Sequence, residues 1–504
     1  MTTAPHPAQN QKNQGSSPKK APSTLEATTT PLAFWLLGST TCDNPSAISQ
    51  EMLLAQARYV DYLGECEDVR NHIAKSYCVV LPSSYKEGVP RVLLEAMSMG
   101  KPIITTDTNG CKECILPPLH PYENLLLGQN GILIPKKDSK ALARAMSFLA
   151  NMEDKDYQAM AQASRYYVKE RFDIKHTIAA YQNAITTYCG ENPHASPTHH
   201  DTNRDATPAT HHPTRAKSLN LAFLSNSCFG MYNFRLSVLK ALQEAGHTIH
   251  IIAPDDGNFA HKLTQEGFFF HHISIDSKGL NPLKDLATTL SIKKLFKSLS
   301  PDMIFNYTIK PVIYGTLTAG KTPCIAITTG LGYVFVQGGF KRKILKLLVS
   351  TLYKIALKNA KEVWFLNTDD KEEFLKAKIL PHTKAKILDS EGVDTDFFAP
   401  QTTPFATQSH SQTPAKTPAA QDSTACKDAD STTPHPASNP ATQPLAQAHA
   451  PTPSTPQPKA FLLIARMLWD KGIGEFIEAA KILKKAPTTK NTAAKSTTPE
   501  APRP

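Results

Sequence analysis

The sequence predicts an α/β protein with two doubly wound parallel sheets. Two stretches, about 31–190 and 217–400, alternate short apolar strands with helical segments and glycine-containing turns. Between and around them lie segments rich in Pro, Thr, Ala, Ser and His, which hold too few apolar residues to build a core. These predicted disordered tails and linkers are 1–30, 191–216, 401–458 and 486–504.

In the first stretch the sequence predicts an ordered series of strands and helices. Pro90 suits the first turn of a helix and Gly100 suits its end, so a helix is predicted at about 90–99. The other predicted elements are strands at Leu32–Leu37, Val60–Leu63, Cys78–Leu81 and 102–106, and a helix at Val69–Lys75.

The second stretch begins with a predicted βαβ unit. Strand Leu219–Leu224 leads into a polar loop at Ser225–Gly230, helix Phe234–Ala245 and strand Thr248–Ala253. No G-x-G-x-x-G follows its first strand, which argues against a dinucleotide oxidoreductase. A nucleotide-sugar epimerase or dehydrogenase is disfavoured for the same reason.

A third piece, about 459–485, is too small to fold alone. It holds one strand at 461–464, a loop with Arg466 and Lys471, and one helix at 474–485. One strand and one helix cannot bury a core, so this piece must pack on another part of the chain.

Composition limits the class of protein. The 504 residues carry a formal charge of +11, which favours an anionic partner such as a phosphate, a nucleotide or an acidic lipid surface. Nine irregularly spaced cysteines, an N-terminus unlike a signal peptide, and no apolar run of about 20 residues predict a reduced, cytoplasmic protein.

Two carboxylates flank the helix predicted at 90–99. Glu87 lies in the loop before it, beside backbone N–H groups that can hold a phosphate. Glu95 lies more than a turn further along, where it can accept hydrogen bonds from a diol such as a ribose. The alternative is an acid that favours the helix dipole together with a solvent-facing glutamate.

The segment LPSSYKEGVPRVLLEAMSMGKPIITTDTNGCKE resembles the retaining family-4 glycosyltransferases of the GT-B fold. The resemblance implies two Rossmann-like domains that face each other across a cleft. It also implies that Glu95 binds the nucleotide ribose, that Glu87 contacts donor-sugar hydroxyls, and that backbone N–H groups of the following loop hold the diphosphate. The implied donor-binding set beside Glu87 is Glu95, Gly88, Val89, Leu63 and Gly64.

The segment LLIARMLWDKG resembles the first strand and loop of the donor-binding domain in the same family. There, an Arg and a Lys neutralise the donor diphosphate, and Arg466 and Lys471 match those positions. Fixed cations at the departing diphosphate stabilise the charge that develops in the transition state. The implied catalytic set is therefore Glu87, Arg466 and Lys471; the alternative is ordinary surface cations.

The stretch 217–400 resembles the acceptor-binding domain of the branch that adds N-acetylhexosamine to polyprenyl-diphosphate-linked saccharides, most of all the N-acetylgalactosaminyltransferases. The resemblance implies transfer from a UDP-sugar onto a lipid-linked saccharide in cell-surface or glycoprotein glycan assembly. It implies no metal, no cofactor and no nucleic acid. ITTGLGYVF offers no match for a catalytic histidine. The implied acceptor-side residues are Ser227, Asn233, Arg235, Lys310, Thr329 and Gly330, within 227–233, 310 and 329–332.

The segment 340–358 has the pattern of a basic amphipathic helix. One interpretation places it on an anionic membrane surface, and the other makes it a core-facing helix with solvated lysines. The pattern alone slightly favours the second, whereas a polyprenyl acceptor favours the first.

Possible metal ligands are few. Cys111 and Cys114 have a metal or redox spacing but no second pair, and the pairs His199–His200 and His211–His212 fall in a predicted linker. Asp394 and Asp396 imitate an Asp-x-Asp motif, but the resemblance places them in a domain-connecting loop. No metal site is predicted.

The order of the three pieces departs from the family pattern, in which 217–400 would come first, then 459–485, then 31–190. One explanation is a circular permutation whose break lies in an exposed loop, where permutation is best tolerated. The other is a fusion of partial genes, an inactive product that retains only sugar-nucleotide binding. Permutation predicts that strand 461–464 lies beside strand 32–37, with Arg466 facing the Glu87 loop.

Overall fold

The computed structural model describes residues 30–41, 44–190, 218–276, 279, 281–330, 340–401 and 457–485, with the side chains of 340–342 left aside. The predicted tails and linkers at 1–30, 191–216, 401–458 and 486–504 lie almost wholly outside the described residues, as do both histidine pairs.

Strands and helices alternate through the described chain. The strands are β1 (Leu32–Leu37), β2 (Asp61–Tyr62), β3 (Cys78–Leu81), β4 (Ile103–Thr106), β5 (His120–Tyr122), β6 (Leu125–Leu127), β7 (Gly131–Ile134), β8 (Asn220–Leu224), β9 (Thr248–Ala253), β10 (Phe269–His272), β11 (Met303–Tyr307), β12 (Cys324–Thr328), β13 (Glu362–Phe365), β14 (Ala385–Ile387) and β15 (Lys459–Ile464). The helices are α1 (Gln50–Leu54), α2 (Arg70–Lys75), α3 (Arg91–Ser98), α4 (Ser139–Ala150), α5 (Asp154–Arg171), α6 (Ile174–Cys189), α7 (Cys228–Glu244), α8 (Asn258–Gln265), α9 (Pro282–Leu299), α10 (Ile309–Thr318), α11 (Phe340–Ala356), α12 (Thr368–Lys376) and α13 (Ile473–Lys485).

The strands form two sheets. The first has the order β2-β1-β15-β3-β4-β7-β6-β5 and is parallel except at β6 and β5. The second has the order β10-β9-β8-β11-β12-β13-β14 and is parallel throughout. Both are doubly wound α/β domains, so the predicted GT-B fold class is confirmed.

Strand β15, from the last described piece of the chain, lies in the middle of the first sheet. It pairs in parallel with β1 along its whole length, from Leu32 opposite Lys459 to Leu37 opposite Ile464, and on its other side with β3. The rings of Phe34 and Phe461 stack with centroids 6.0 Å apart. The prediction that this piece packs beside strand 32–37 is therefore confirmed.

Helix α6 leaves the first domain and packs on the second. The hydroxyl of Tyr181 hydrogen-bonds the hydroxyl of Tyr307 at 2.7 Å inside the second core. At the end of α6, the Sγ of Cys189 donates to the carbonyl of Asp302, and the backbone N–H of Asn220 donates to the carboxylate of the same residue. Cys189 and Asn220, which flank the segment 191–217, therefore both contact Asp302 and lie close together.

Some predicted boundaries move. Helix α7 begins at Cys228, within the predicted polar loop, because the Ser227 hydroxyl accepts a hydrogen bond from the N–H of Gly230 and caps the helix. Helix α3 begins at Arg91, with Pro90 as its N-cap. Across the part of the chain that is described, no helix has both the length and the apolar character needed to cross a membrane.

Candidate active site

A cleft of about 300 Å³ lies where the strands of both sheets reach their carboxyl ends. Open α/β sheets place ligands at this edge. The first domain contributes the loop after β3, and the second contributes the loops after β8, β11 and β12. The lining residues are Tyr85, Lys86, Glu87, Gly88, Asn226, Thr308, Ile309, Lys310, Pro311, Thr329 and Gly330.

Glu87 lies in this cleft and is held from two directions. The hydroxyl of Ser83 donates to its Oε1 atom at 2.9 Å, and the ammonium of Lys471 forms an ion pair with the same oxygen. The side chains of Glu87 and Lys471 are only 15% and 16% exposed. Residues 384 positions apart in the chain therefore meet at one partly buried ion pair.

The loop that carries Lys471 packs tightly against the loop after β3. The backbone N–H of Ser84 donates to the carbonyl of Asp470 at 2.9 Å. Gly472 has φ +82, and a Cβ there would lie 2.3 Å from the carbonyl oxygen of Pro82. Only glycine satisfies both the left-handed backbone and this close approach.

Arg466 lies at the exposed edge of the same loop. Its guanidinium is near enough to Tyr85, a lining residue, to oppose the effect of burial, which raises the pKa of the Tyr85 hydroxyl. No carboxylate in the described ranges forms an ion pair with Arg466. Arg466 therefore lies near the loop that carries Glu87, although it is not among the residues that line the cleft.

Glu95 points into a largely closed environment on α3. Its side chain is 13% exposed, and burial raises the pKa of its carboxyl group while Arg91 opposes that rise. Arg91 donates from Nε to Glu95 at 2.8 Å and from Nη1 to the backbone carbonyl of Asn233 on α7. The solvent-facing alternative for Glu95 does not fit this geometry.

Arg91 therefore bridges the predicted ribose-binding residue and the second domain. Arg91 is not among the residues predicted from the sequence. The available signal was its spacing of four residues from Glu95, which places the two side chains on one helix face.

Of the other residues predicted on the donor side, Gly88 lines the cleft, whereas Val89, Leu63 and Gly64 do not. Gly88 lines the cleft, and a Cβ there would lie 3.0 Å from the carbonyl oxygen of Thr329 across the cleft. Val89 is half-buried against the first core. Leu63 and Gly64 follow β2 and bond to the backbone of β1 and of Gly38, so they lie outside the lining of the cleft.

On the acceptor side, Lys310, Thr329 and Gly330 line the cleft as predicted, while residues 331–332 lie outside the described ranges. Lys310 is held by the carboxylate of Asp285 at 2.6 Å and by the carbonyl of Gly279 at 2.8 Å. Ser227 caps α7.

Arg235 does not line the cleft. Its side chain is 6% exposed, pairs with Glu391, donates to the carbonyl of Gly230 at 2.9 Å and lies 4.2 Å from the ring centroid of Tyr307. These partners give Arg235 a structural role within the second domain, since none of its contacts faces the cleft.

Thr308 is a second residue that the sequence analysis missed. It lines the cleft at the start of α10 with φ +69, an uncommon backbone conformation for a β-branched residue, and its buried hydroxyl oxygen has no hydrogen-bond partner. No sequence pattern marks this strain.

Behind the cleft, α12 of the second domain meets cations of the first. Lys112 pairs with Asp369 at 2.7 Å, and Lys86 lies 3.5 Å from Glu373. Burial raises the pKa of Asp370 to about 6, and the amide of Asn109 donates to it at 3.5 Å. The two domains are therefore joined by an ionic contact beside Glu87.

The described residues whose spacing suggests metal ligands are buried or bonded to other protein groups. Cys111 and Cys114 are buried, and burial raises the pKa of the Cys111 thiol to about 11. The Asp394 carboxylate accepts hydrogen bonds from the N–H groups of Asp396 and Phe397, while Asp396 pairs with Lys175. No group of three metal-ligating side chains occurs within the described residues.

Comparisons with known proteins agree with this architecture. Residues 4–152 match the family model described as glycosyl transferases group 1, and residues 221–367 match the model described as glycosyl transferase 4-like. The two models fall on the first and second domains respectively.

Two bacterial relatives share part of the sequence. The N,N'-diacetylbacillosaminyl-diphospho-undecaprenol alpha-1,3-N-acetylgalactosaminyltransferase of Campylobacter jejuni is 28% identical over 36% of this chain and 49% of its own length. The UDP-Gal:alpha-D-GlcNAc-diphosphoundecaprenol alpha-1,3-galactosyltransferase of Escherichia coli is 26% identical over 34% of this chain and 43% of its own. The matches thus span about half the length of these relatives.

Among solved structures, Acinetobacter baumannii MurG aligns over 34% of this chain and 44% of its own, with 19% identity and a TM-score of 0.24. That superposition is too weak to add to the topology described above. The two family models show that the chain carries a glycosyl transferase group 1 domain followed by a glycosyl transferase 4-like domain.

Proposed function

We propose that the chain is a retaining glycosyltransferase that moves an N-acetylhexosamine from a UDP-sugar to a polyprenyl-diphosphate-linked saccharide in glycan assembly. The observation that carries the proposal is the ion pair between Glu87 and Lys471. It joins the two halves of the implied donor site, although they come from distant parts of the chain.

The donor side suits a leaving diphosphate. Arg466 and Lys471 supply cations, and the loop before α3 supplies backbone N–H groups at a positive helix end. An ammonium has three donors, so Lys471 can keep its bond to Glu87 and also bind a phosphate oxygen. Both contacts to Glu87 use its Oε1 atom, which leaves the second oxygen for a donor-sugar hydroxyl.

The nucleotide would extend towards Glu95. Its carboxylate, oriented by Arg91, is the acceptor for ribose hydroxyls. Fixed cations and oriented carboxylates supply this chemistry without a metal or cofactor, and we expect none to be required.

The acceptor would enter from the wall formed by Lys310, Thr329 and Gly330. The names of the Campylobacter and Escherichia relatives, which both refer to undecaprenyl-diphosphate saccharides, support a lipid-linked acceptor. We further propose that the enzyme works at the cytoplasmic face of a membrane, in peripheral contact with anionic lipid.

The test is a transfer assay with the full chain. UDP-GalNAc, UDP-GlcNAc and UDP-galactose are each incubated with polyprenyl-diphosphate saccharides, and labelled product is counted. Substitution Arg466→Ala should lower kcat/KM by about 100- to 1,000-fold, because it removes a charge that stabilises the leaving group. Arg58→Ala, at an exposed arginine elsewhere on the same domain, should transfer like the wild type.

Transfer by Arg466→Ala at the wild-type rate would contradict the proposal. Binding of a UDP-sugar without transfer to any acceptor tested would instead identify an inactive, rearranged protein.

A further inference from the structure

Three consecutive helices, α9, α10 and α11, lie side by side on one face of the second sheet. They precede β11, β12 and β13, which follow one another across that sheet. Right-handed crossovers in one direction place their helices on the same face, and α10 packs against both of its neighbours. The outer sides of these helices form a single surface.

Helix α9 carries leucines on the side turned away from the core. Leu283, Leu286 and Leu290, here called the α9 leucine face, are 77%, 56% and 57% exposed. Their spacing of three and four residues places them on one stripe. Ile292 and Phe296, on the opposite stripe, are buried in the second core. The leucine face therefore has no partner within the described part of this domain.

Helix α11 repeats the arrangement. Val349 and Tyr353 face the core, whereas the opposite side is apolar and exposed. The exposed residues there are Ile344 at 53%, Leu347 at 70%, Leu348 at 56% and Ile355 at 50%. Of the two interpretations open for this helix, the core-facing one accounts for its inner side but leaves this apolar outer side unexplained.

The charge of the three helices is almost wholly positive. The sequences of α9, α10 and α11 contain four, one and five Lys or Arg residues respectively, against the single acid Asp285. Lys310 is paired with Asp285, and Lys346 is paired with Glu373 of α12. Among the described side chains of α9 and α11, the exposed lysines are Lys284, Lys293, Lys294, Lys297, Lys343 and Lys354. A surface that combines exposed aliphatic side chains with lysines fits the headgroup and acyl boundary of an anionic bilayer.

The surface also reaches the cleft. Lys310 lines the cleft, and its ammonium contacts Asp285, the neighbour of Leu286 in α9. Helix α9, which carries the leucine face, is therefore bonded directly to one wall of the cleft.

We propose that the outer face of α9, α10 and α11 docks on an anionic phospholipid bilayer, with the α9 leucine face at the acyl boundary next to the cleft. The proposal deepens the proposed function, since it says how a lipid-linked acceptor reaches the site. A second copy of the chain is disfavoured as the occupant because a symmetric contact would set these cations against themselves.

Vesicle co-sedimentation of the full chain tests the proposal, with no donor or acceptor present. We expect binding to equimolar phosphatidylcholine and phosphatidylglycerol that weakens with salt, and much weaker binding to phosphatidylcholine alone. The triple variant Leu283→Ser, Leu286→Ser, Leu290→Ser should bind about tenfold more weakly or worse, because it removes apolar area from the bilayer contact. The matched control is Met52→Ser, Leu54→Ser, Tyr166→Ser, which changes three exposed apolar residues of the first domain and should bind like the wild type.

A single substitution tests the same contact in case the triple variant misfolds. The indole of Leu286→Trp should be quenched by lipids brominated in the acyl chain, whereas that of Tyr166→Trp should not. The proposal is overturned if the folded triple variant binds vesicles like the wild type, or if Leu286→Trp shows no added quenching. It is also overturned if the leucine substitutions abolish self-association, measured by sedimentation velocity, and leave vesicle binding intact.

Failure here is separable from failure of the proposed function. Transfer to a water-soluble, short-prenyl acceptor reports the chemistry without a membrane, and the leucine variants should retain it.

Discussion

The two sides of the cleft differ in how their charged side chains are paired. The donor wall is Glu87 with Lys471 and Arg466, and the cations of the acceptor side are Lys310 and Arg235. On the donor wall, Arg466 has no carboxylate partner in the described chain, and Lys471 joins Glu87 at the cleft surface. On the acceptor side, Lys310 is held by Asp285, and Arg235 is buried against Glu391. Lys471 and Lys310 are alike, since both are ion-paired and their side chains are 16% and 14% exposed. The difference lies in the arginines. Arg466 is exposed and can meet a diphosphate, whereas Arg235 is buried and holds its own domain together.

The largest expected effect tests the structural role of Arg235. Substitution Arg235→Met should lower the free energy of unfolding by about 3–5 kcal/mol, because it leaves the buried carboxylate of Glu391 without its partner. Chemical denaturation followed by circular dichroism measures it, with Arg58→Met as the exposed-arginine control. A stable Arg235→Met variant that has lost only acceptor binding would move Arg235 back to the acceptor set.

The next effect concerns the contact between the domains. Burial raises the pKa of Asp370 from 3.8 to about 6, so between those values the folded chain binds more protons than the unfolded chain. The contribution of Asp370 to stability therefore falls as pH rises from about 4 to about 6 and is level above that. At pH 7 the free energy of unfolding of Asp370→Asn should exceed that of the wild type by at most about 3 kcal/mol. This difference, the gap between the two proteins, should close towards pH 4.

Thermal unfolding at several pH values measures this gap. Glu372→Gln, on an exposed part of the same helix, is the control. A gap that stays constant from pH 4 to pH 7, or one that widens towards pH 4, would show that Asp370 is not buried as the contact requires.

The smallest effect is the coupling between the chain-distant residues of the donor wall. Glu87→Gln and Lys471→Met should each destabilise the fold, and the double variant should lose about 1–2 kcal/mol less than the sum of the two. Denaturation of all four proteins gives the coupling energy. Additive losses would mean that the pair does not form in solution.

The meeting of Glu87 with the piece that carries Lys471 could be predicted from the sequence, because both residues belong to short motifs beside a strand. Glu87, Glu95, Arg466 and Lys471 each stand at a fixed distance from a strand and a helix start. Glu87 and Lys471 meet because the isolated strand predicted at 461–464 must join a sheet. It does so as β15, between β1 and β3.

The acceptor side could be predicted only in part. Arg235 and Glu391 lie 156 positions apart and no local pattern links them, so the sequence does not reveal that Arg235 is buried away from the cleft. The sequence predicts a loop at Ser227, because the partner of its cap is a backbone N–H, which composition does not reveal. The strain at Thr308 likewise depends on tertiary packing.

We propose that distant parts of the described chain build one donor site. Calorimetric titration of the full chain with UDP measures this in the wild type, in Glu95→Gln and in Arg466→Ala. We expect one UDP per chain, with binding weakened about tenfold or more by either substitution. Glu95→Gln replaces one carboxylate oxygen and its charge by an amide donor, and Arg466→Ala removes a diphosphate cation. Wild-type affinity in Arg466→Ala beside a loss in Glu95→Gln would contradict it.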